Sequence, residues 1–186
     1  MVVRSLFTLA LLVMLAGCDQ RPAKTEPEAK AHPVRYDRAA DGAPRCAAGE
    51  RRVYSCAFKQ KTVSVCATDR TVTYRYGAAN KTDLTIVSDG ADGKAHATSI
   101  RGPGRGGFQT SLRFSNQGYE YIVYSAIGGA DTEVAGRRWS GLVVMKGGDQ
   151  VSNQECPTAG PGQRFTLDTA PSFIPDETNP EFEAWY

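Results

Sequence analysis

The chain predicts an all-β domain: a single antiparallel β-sandwich or barrel of about eight or nine strands, set by turn signals at roughly 8–12-residue spacing. Three observations carry that prediction. Short runs alternate between apolar and polar residues, which is the period of a half-buried strand. Clusters of Gly, Asn, Asp and Pro separate those runs, and no window gives a convincing helical stripe. Four cysteines, Cys46, Cys56, Cys66 and Cys156, are spread through the same region, 46–156.

The elements follow in order. Arg52–Phe58 and Lys61–Cys66 flank Lys59-Gln60 and read as a hairpin. Thr71–Tyr76 ends at Gly77, and Leu84–Ser88 ends in Asp89-Gly90, a turn dipeptide. Ala95–Arg101 is a weaker run. Phe108–Ser115 sets Phe108, Thr110, Leu112 and Phe114 on one face against Gln109, Ser111, Arg113 and Ser115 on the other. It turns through Asn116-Gln117-Gly118 into Tyr119–Ile127, whose two faces are both largely apolar. Trp139–Lys146 turns through Gly147-Gly148 into Gln150–Cys156.

The ends of the chain differ from this body. A basic start at Arg4, an apolar run from Leu6 to Ala16 and a small-residue exit describe a secretory signal, too short to span a bilayer, which takes about 20 apolar residues. Leu15-Ala16-Gly17-Cys18 resembles the lipobox of bacterial lipoproteins. That resemblance implies cleavage after residue 17, lipidation of Cys18 by a diacylglyceryl group with acyl chains such as palmitate, and an envelope location facing the periplasm. Asp19 resembles the mark for inner-membrane retention, with the outer membrane the alternative. Residues 18–45 are rich in Pro, Ala and charge and read as a disordered tether that holds the domain off the lipid surface. Residues 157–186 are Pro-rich, acidic and aromatic; Phe165, Phe173, Ile174, Phe182, Trp185 and Tyr186 suit either a strap across the domain or a segment that docks on a partner.

Charge and cysteine usage fit this location. Lys and Arg number 22 against 20 Asp and Glu, a net +2 that falls near +1 when Arg4 leaves with the leader. That balance excludes a strongly basic nucleic-acid binder and a polybasic membrane surface. With Cys18 taken by lipid, four cysteines in an exported chain imply two disulfides in one of three pairings. Their spacing lacks the close pairs of a zinc site, so no metal and no cofactor is expected.

Catalytic constellations are sparse. His32 lies in the tether and His96 on the weakest run, without a G-x-S-x-G elbow to hold a nucleophile. Asp89 and Asp92 lie three apart in a glycine-rich loop, too few acids for a calcium loop and well explained by a turn. No paired carboxylates stand out for glycosidic chemistry. Two loops stand out instead. Arg101-Gly102-Pro103-Gly104-Arg105-Gly106-Gly107 lacks the Lys and hydroxyl of a phosphate-binding loop, but joins two arginines to a backbone able to enter a narrow cleft. Gly128 to Arg138 is long for a hairpin and carries Asp131, Glu133, Arg138 and then Trp139. Arg and Trp are enriched at binding hot spots, although Trp139 also suits the core of its strand.

Cys46, the hairpin with Cys56, Lys61-Thr62-Val63-Ser64-Val65-Cys66, Tyr74-Arg75-Tyr76-Gly77, Tyr121-Ile122-Val123-Tyr124-Ser125 and the last hairpin to Cys156 resemble a family of small, mostly uncharacterised exported bacterial proteins. The resemblance implies a β-rich disulfide domain and no established activity. A looser analogy, of location and architecture, is to periplasmic lysozyme inhibitors and lipoprotein immunity proteins. The expectation is therefore a non-enzymatic, lipid-anchored binding protein that blocks an envelope-targeting hydrolase or toxin. Arg101, Arg105, Asp131, Glu133, Arg138 and Trp139 are the candidate contacts. The alternatives are a structural envelope lipoprotein that binds peptidoglycan or another envelope protein, and a hydrolase using His96.

Overall fold

The computed structural model of the chain describes residues 46–78, 81–157, 170–177 and 182–185. The expected leader, Cys18 with Asp19, the tether, and tail positions such as Phe165 and Tyr186 lie outside the described residues. Nine strands form: β1 (Arg51–Ala57), β2 (Thr62–Ala67), β3 (Val72–Ala78), β4 (Lys81–Ser88), β5 (Ala95–Arg101), β6 (Phe108–Asn116), β7 (Tyr119–Ile127), β8 (Arg138–Lys146) and β9 (Asp149–Glu155). Among the described residues there is no helix. The strands make a four-stranded sheet, β1-β2-β3-β4, and a five-stranded sheet, β5-β6-β7-β8-β9, with every pairing antiparallel and between sequence neighbours. Two separate sheets make the architecture a sandwich and not a barrel.

Strand β4 begins at Lys81, three residues before its apolar run, because Ala78 still pairs with Lys81 and Gly77 with Thr82. Those added positions are exposed and polar, so alternation cannot announce them.

Register defines the inner faces. Tyr54, Val65, Tyr74 and Ile86 lie side by side across the four-stranded sheet, and Ala97, Leu112, Val123 and Leu142 across the five-stranded one. All eight are buried and meet in one inter-sheet core. Tyr74 sits at its centre, 5.4 Å from the Phe114 ring and 5.5 Å from Tyr121. Burial drives its hydroxyl strongly upward in pKa. Tyr54 crosses the sandwich to donate a hydrogen bond to the Gly141 carbonyl at 3.1 Å.

Two disulfides fix the pairing that the cysteine count left open. Cys56–Cys156 closes a span of 100 residues and ties β1 to the residue after β9, joining the two sheets along one side. Cys46–Cys66 closes 20 residues and ties the turn before β1 to β2.

Each sheet also has an outer face. That of the four-stranded sheet is polar: Ser55, Ser64, Arg75 and Thr85 lie in register. Glu50, from the turn preceding β1, takes a two-pronged hydrogen bond from Arg75 at 2.7 and 2.9 Å. That of the five-stranded sheet is apolar at β7 and β8, where Ile122, Tyr124, Ala126, Trp139, Val143 and Met145 form a second buried cluster with Phe182 of the tail.

Candidate functional site

The two loops singled out by sequence meet at one end of the five-stranded sheet. The β5–β6 connection closes on itself through Gly102 N–H to Gly107 carbonyl at 2.9 Å. The β7–β8 connection folds back through Gly136 N–H to Gly128 carbonyl at 2.9 Å, and the Thr132 hydroxyl donates to the Gly129 carbonyl at 2.7 Å. The Ala130 N–H then donates to the Arg105 carbonyl at 2.8 Å, an antiparallel bridge between the loops. Glycine makes the approach possible. A Cβ on Gly104 would collide with the Ala130 carbonyl, and one on Gly129 with the Pro103 carbonyl. The two loops are one platform.

Charge decorates that platform. Arg101, Arg105 and Arg138 are exposed and, among the described residues, make no ion pair. Asp131 and Glu133 are also exposed, and Asp131 holds a φ of 69°, a left-handed conformation that Asp tolerates better than most residues. Arg137 is committed elsewhere: it bonds Glu155 at 2.7 Å and lies 5.3 Å from the Trp139 ring. Trp139, the sixth candidate, is only 8% exposed, with Trp185 edge-on against it at 5.9 Å. It anchors the base of the platform and is not part of the presented surface, because the period of β8 aims it into the outer-face cluster.

The remaining candidates are used up locally. His96 is half-buried, its Nε2 is 3.2 Å from the Gly93 carbonyl, and it faces Arg113 across the β5–β6 register. Asp89 accepts the N–H groups of Ala91 and Asp92, while Asp92 accepts Ser88 Oγ at 2.6 Å and Lys94 N–H at 3.0 Å. Burial raises the Asp92 carboxyl, but those bonds outweigh it and hold it below its ordinary pKa. Both acids therefore serve the turn. Cys46, Cys66 and Glu50 lie close enough together to suggest metal ligation, yet the two sulfurs are bonded to each other and Glu50 to Arg75.

Sequence reasoning missed three features. One is the merging of the loops, which depends on backbone contacts between distant glycines. Another is a groove of about 560 Å³ beside the β1–β2 turn, lined by Phe58, Lys61, Tyr76, Gln154 and Pro157. Lys61 there is held by Asp83 at 2.8 Å and lies 5.3 Å from the Tyr76 ring. The third is Gln109, whose polar side chain is fully buried. Comparison with known proteins finds no matching family model, no matching curated protein and no matching solved structure.

Proposed function

We propose that this chain is a non-enzymatic, lipid-anchored periplasmic binding protein that acts as an inhibitor or immunity protein. In this reading the arginine-bearing loop platform inserts into an envelope-targeting hydrolase or toxin. The observation that carries it is the joining of the two loops, by the Ala130–Arg105 backbone bond and close glycine contacts, into one tip that presents Arg101, Arg105 and Arg138. A pre-ordered tip loses little entropy on docking. Guanidinium groups that make no ion pair among the described residues pair best with carboxylates, which cluster in the clefts of glycan-cleaving enzymes.

The test is a crosslinking pull-down from cells, with the captured partner then titrated against wild type and Arg101→Ala with Arg105→Ala. The double variant is expected to lose at least tenfold in affinity with an unchanged melting temperature. Equal affinity removes the tip from the interface. Fatty-acid labelling that leaves Cys18 bare removes the anchor. A second reading, an envelope lipoprotein that holds peptidoglycan, draws on the groove, where Phe58 and Tyr76 offer apolar rings beside amide and ammonium groups. Under it the protein sediments with purified cell wall; under the first it stays in solution.

A further inference from the structure

The inner face of the five-stranded sheet runs on past the core. Ala97, Leu112, Val123 and Leu142 lie side by side in that core, and the pairing from β5 to β8 continues beyond them without a register shift. Two residues further along each strand, on the same face, stand Ser99, Thr110, Ser125 and Ser140. This row of hydroxyls closes the apolar core: Thr110 and Ser140 are buried, Ser125 is half-buried and Ser99 is exposed. Two residues further again come Arg101, Phe108, Ile127 and Arg138, paired in that order.

Apolar side chains thus return at the rim, outside the core. Phe108 is 40% exposed and Ile127 is half-buried, so a bare apolar strip lies between two exposed arginines. Among the described residues neither arginine side chain makes an ion pair or packs on a ring. Strands about 4.8 Å apart set the two arginine Cα atoms about 14 Å from each other. An apolar centre with charged flanks is the anatomy of an interaction surface.

Charge and spacing describe the occupant. An arginine at each end calls for an anion at each end, with an apolar group between them. A guanidinium fork takes a carboxylate through two bonds. An extended chain advances about 3.3 Å per residue and turns alternate side chains to the same side. Its residues i and i+4 are therefore about 13 Å apart, with i+2 midway, which matches the row. Phe108 and Ile127 offer no polar side-chain atom to the hydroxyls of a glycan. The exposed carboxylates of Asp131 and Glu133 on the adjoining loop repel an anionic bilayer.

We propose that the row Arg101, Phe108, Ile127 and Arg138 binds an extended acidic segment of a protein partner. Carboxylates at i and i+4 seat on the two arginines, and an apolar side chain at i+2 packs between Phe108 and Ile127. The inference rests on the reading of the arginine-bearing end as the interface and names what that end recognises. Phe108 is its anchor, while Arg105 lies in the loop, off the row.

The test titrates the full chain into the fluorescein-labelled peptide Ser-Asp-Ser-Leu-Ser-Asp-Ser, followed by anisotropy. Saturable binding is expected. A probe with Asn in place of both Asp residues should bind at least tenfold more weakly. Moving the second Asp one position toward the Leu turns it to the other side of the chain and should weaken binding several-fold. Arg101→Ala with Arg138→Ala, both at exposed positions, should cost at least tenfold with an unchanged melting temperature, and Arg105→Ala less than about twofold. Phe108→Ser should cost at least fivefold; a probe with Ser in place of Leu reads the same contact on wild type, whatever that substitution does to the fold. Absence of binding, equal binding of the Asn probe, or equal binding by the arginine double variant overturns the proposal. Tighter binding of tetragalacturonate, or of phosphatidylglycerol vesicles, assigns the row to a glycan or a membrane and overturns it too. A captured partner that depends on Arg101 and Arg105 while the peptide fails to bind keeps the interface reading and removes this one. A peptide that binds while the captured partner ignores both arginines removes only the interface reading.

Discussion

The outer faces of this sandwich are covered by opposite ends of the domain and by opposite chemistry. The turn before β1 is pinned over the four-stranded sheet by a covalent bond and an ion pair, Cys46–Cys66 and Glu50–Arg75. The face beneath is lined by Ser, Thr and Arg, where apolar burial has little to gain. The C-terminal segment 182–185 is held over the five-stranded sheet by stacked rings and by Gln109. The difference shows how one fold protects two sheets. A polar face accepts a clasp made of specific bonds. A face bearing Tyr124, Trp139, Val143 and Met145 must be covered by something apolar, because a bare patch of that kind invites association.

The largest effect expected from breaking this contrast comes from Cys46→Ala with Cys66→Ala. Closing a 20-residue loop is worth about 3 kcal/mol in the chain-entropy argument. Urea unfolding should show a loss of that size. Cys56–Cys156 closes the longer span and scales to about 4.7 kcal/mol, a benchmark for the same experiment. A polar clasp that costs nothing when its disulfide is removed would erase the contrast.

Phe182→Ala comes next. A buried Phe cut to Ala in a core costs about 3–5 kcal/mol. Phe182 is 8% exposed but packs on a single sheet, so about 2 kcal/mol is expected, against about 4 for Phe114→Ala in the inter-sheet core. Equal losses would mean that the tail is as integral as the core. A loss below about 0.5 kcal/mol would leave it as a surface decoration.

How much of this the sequence reveals depends on whether the signal is local. The hairpins of β6–β7 and β8–β9 are legible because alternation and Asn-Gln-Gly or Gly-Gly turns sit next to each other in the chain. The two apolar faces of Tyr119–Ile127 are legible as well, and they imply a cover on both sides. What covers the outer one is not legible. Phe182 reaches Tyr124 from 58 positions away, and Gln109 reads as a solvent-facing residue when only its own strand is considered. Disulfide pairing and the Arg105–Ala130 bridge fail for the same reason: both join residues that only the folded chain brings together, 20, 100 and 25 positions apart. Trp139 illustrates the remaining ambiguity, since a hot-spot residue type and a strand anchor look alike until the partner ring, Trp185, is in place.

The smallest effect separates the clasps by pH. Hydrogen bonds from Arg75 hold the Glu50 carboxyl below its ordinary 4.5, against the opposing effect of burial, and the Ala47 N–H adds to the lowering. Because the folded value is depressed, its contribution is complete above the unfolded value and disappears as pH falls through the folded one. Glu50→Gln should therefore reduce stability at pH 7 and flatten the loss of stability that wild type shows below about pH 4.5. The anchors of the C-terminal clasp do not titrate in acid. Its sensitive group is the Tyr124 hydroxyl, which burial pushes up to about 12. That value lies above the unfolded one of 10.0, so the contribution is complete below pH 10 and is lost as pH rises toward 12. Melting curves of wild type, Glu50→Gln and Tyr124→Phe from pH 3 to pH 11 should show the first substitution acting on the acid limb and the second on the alkaline limb. An acid limb that Glu50→Gln leaves unchanged would show that the ion pair on the polar face adds nothing to the disulfide beside it.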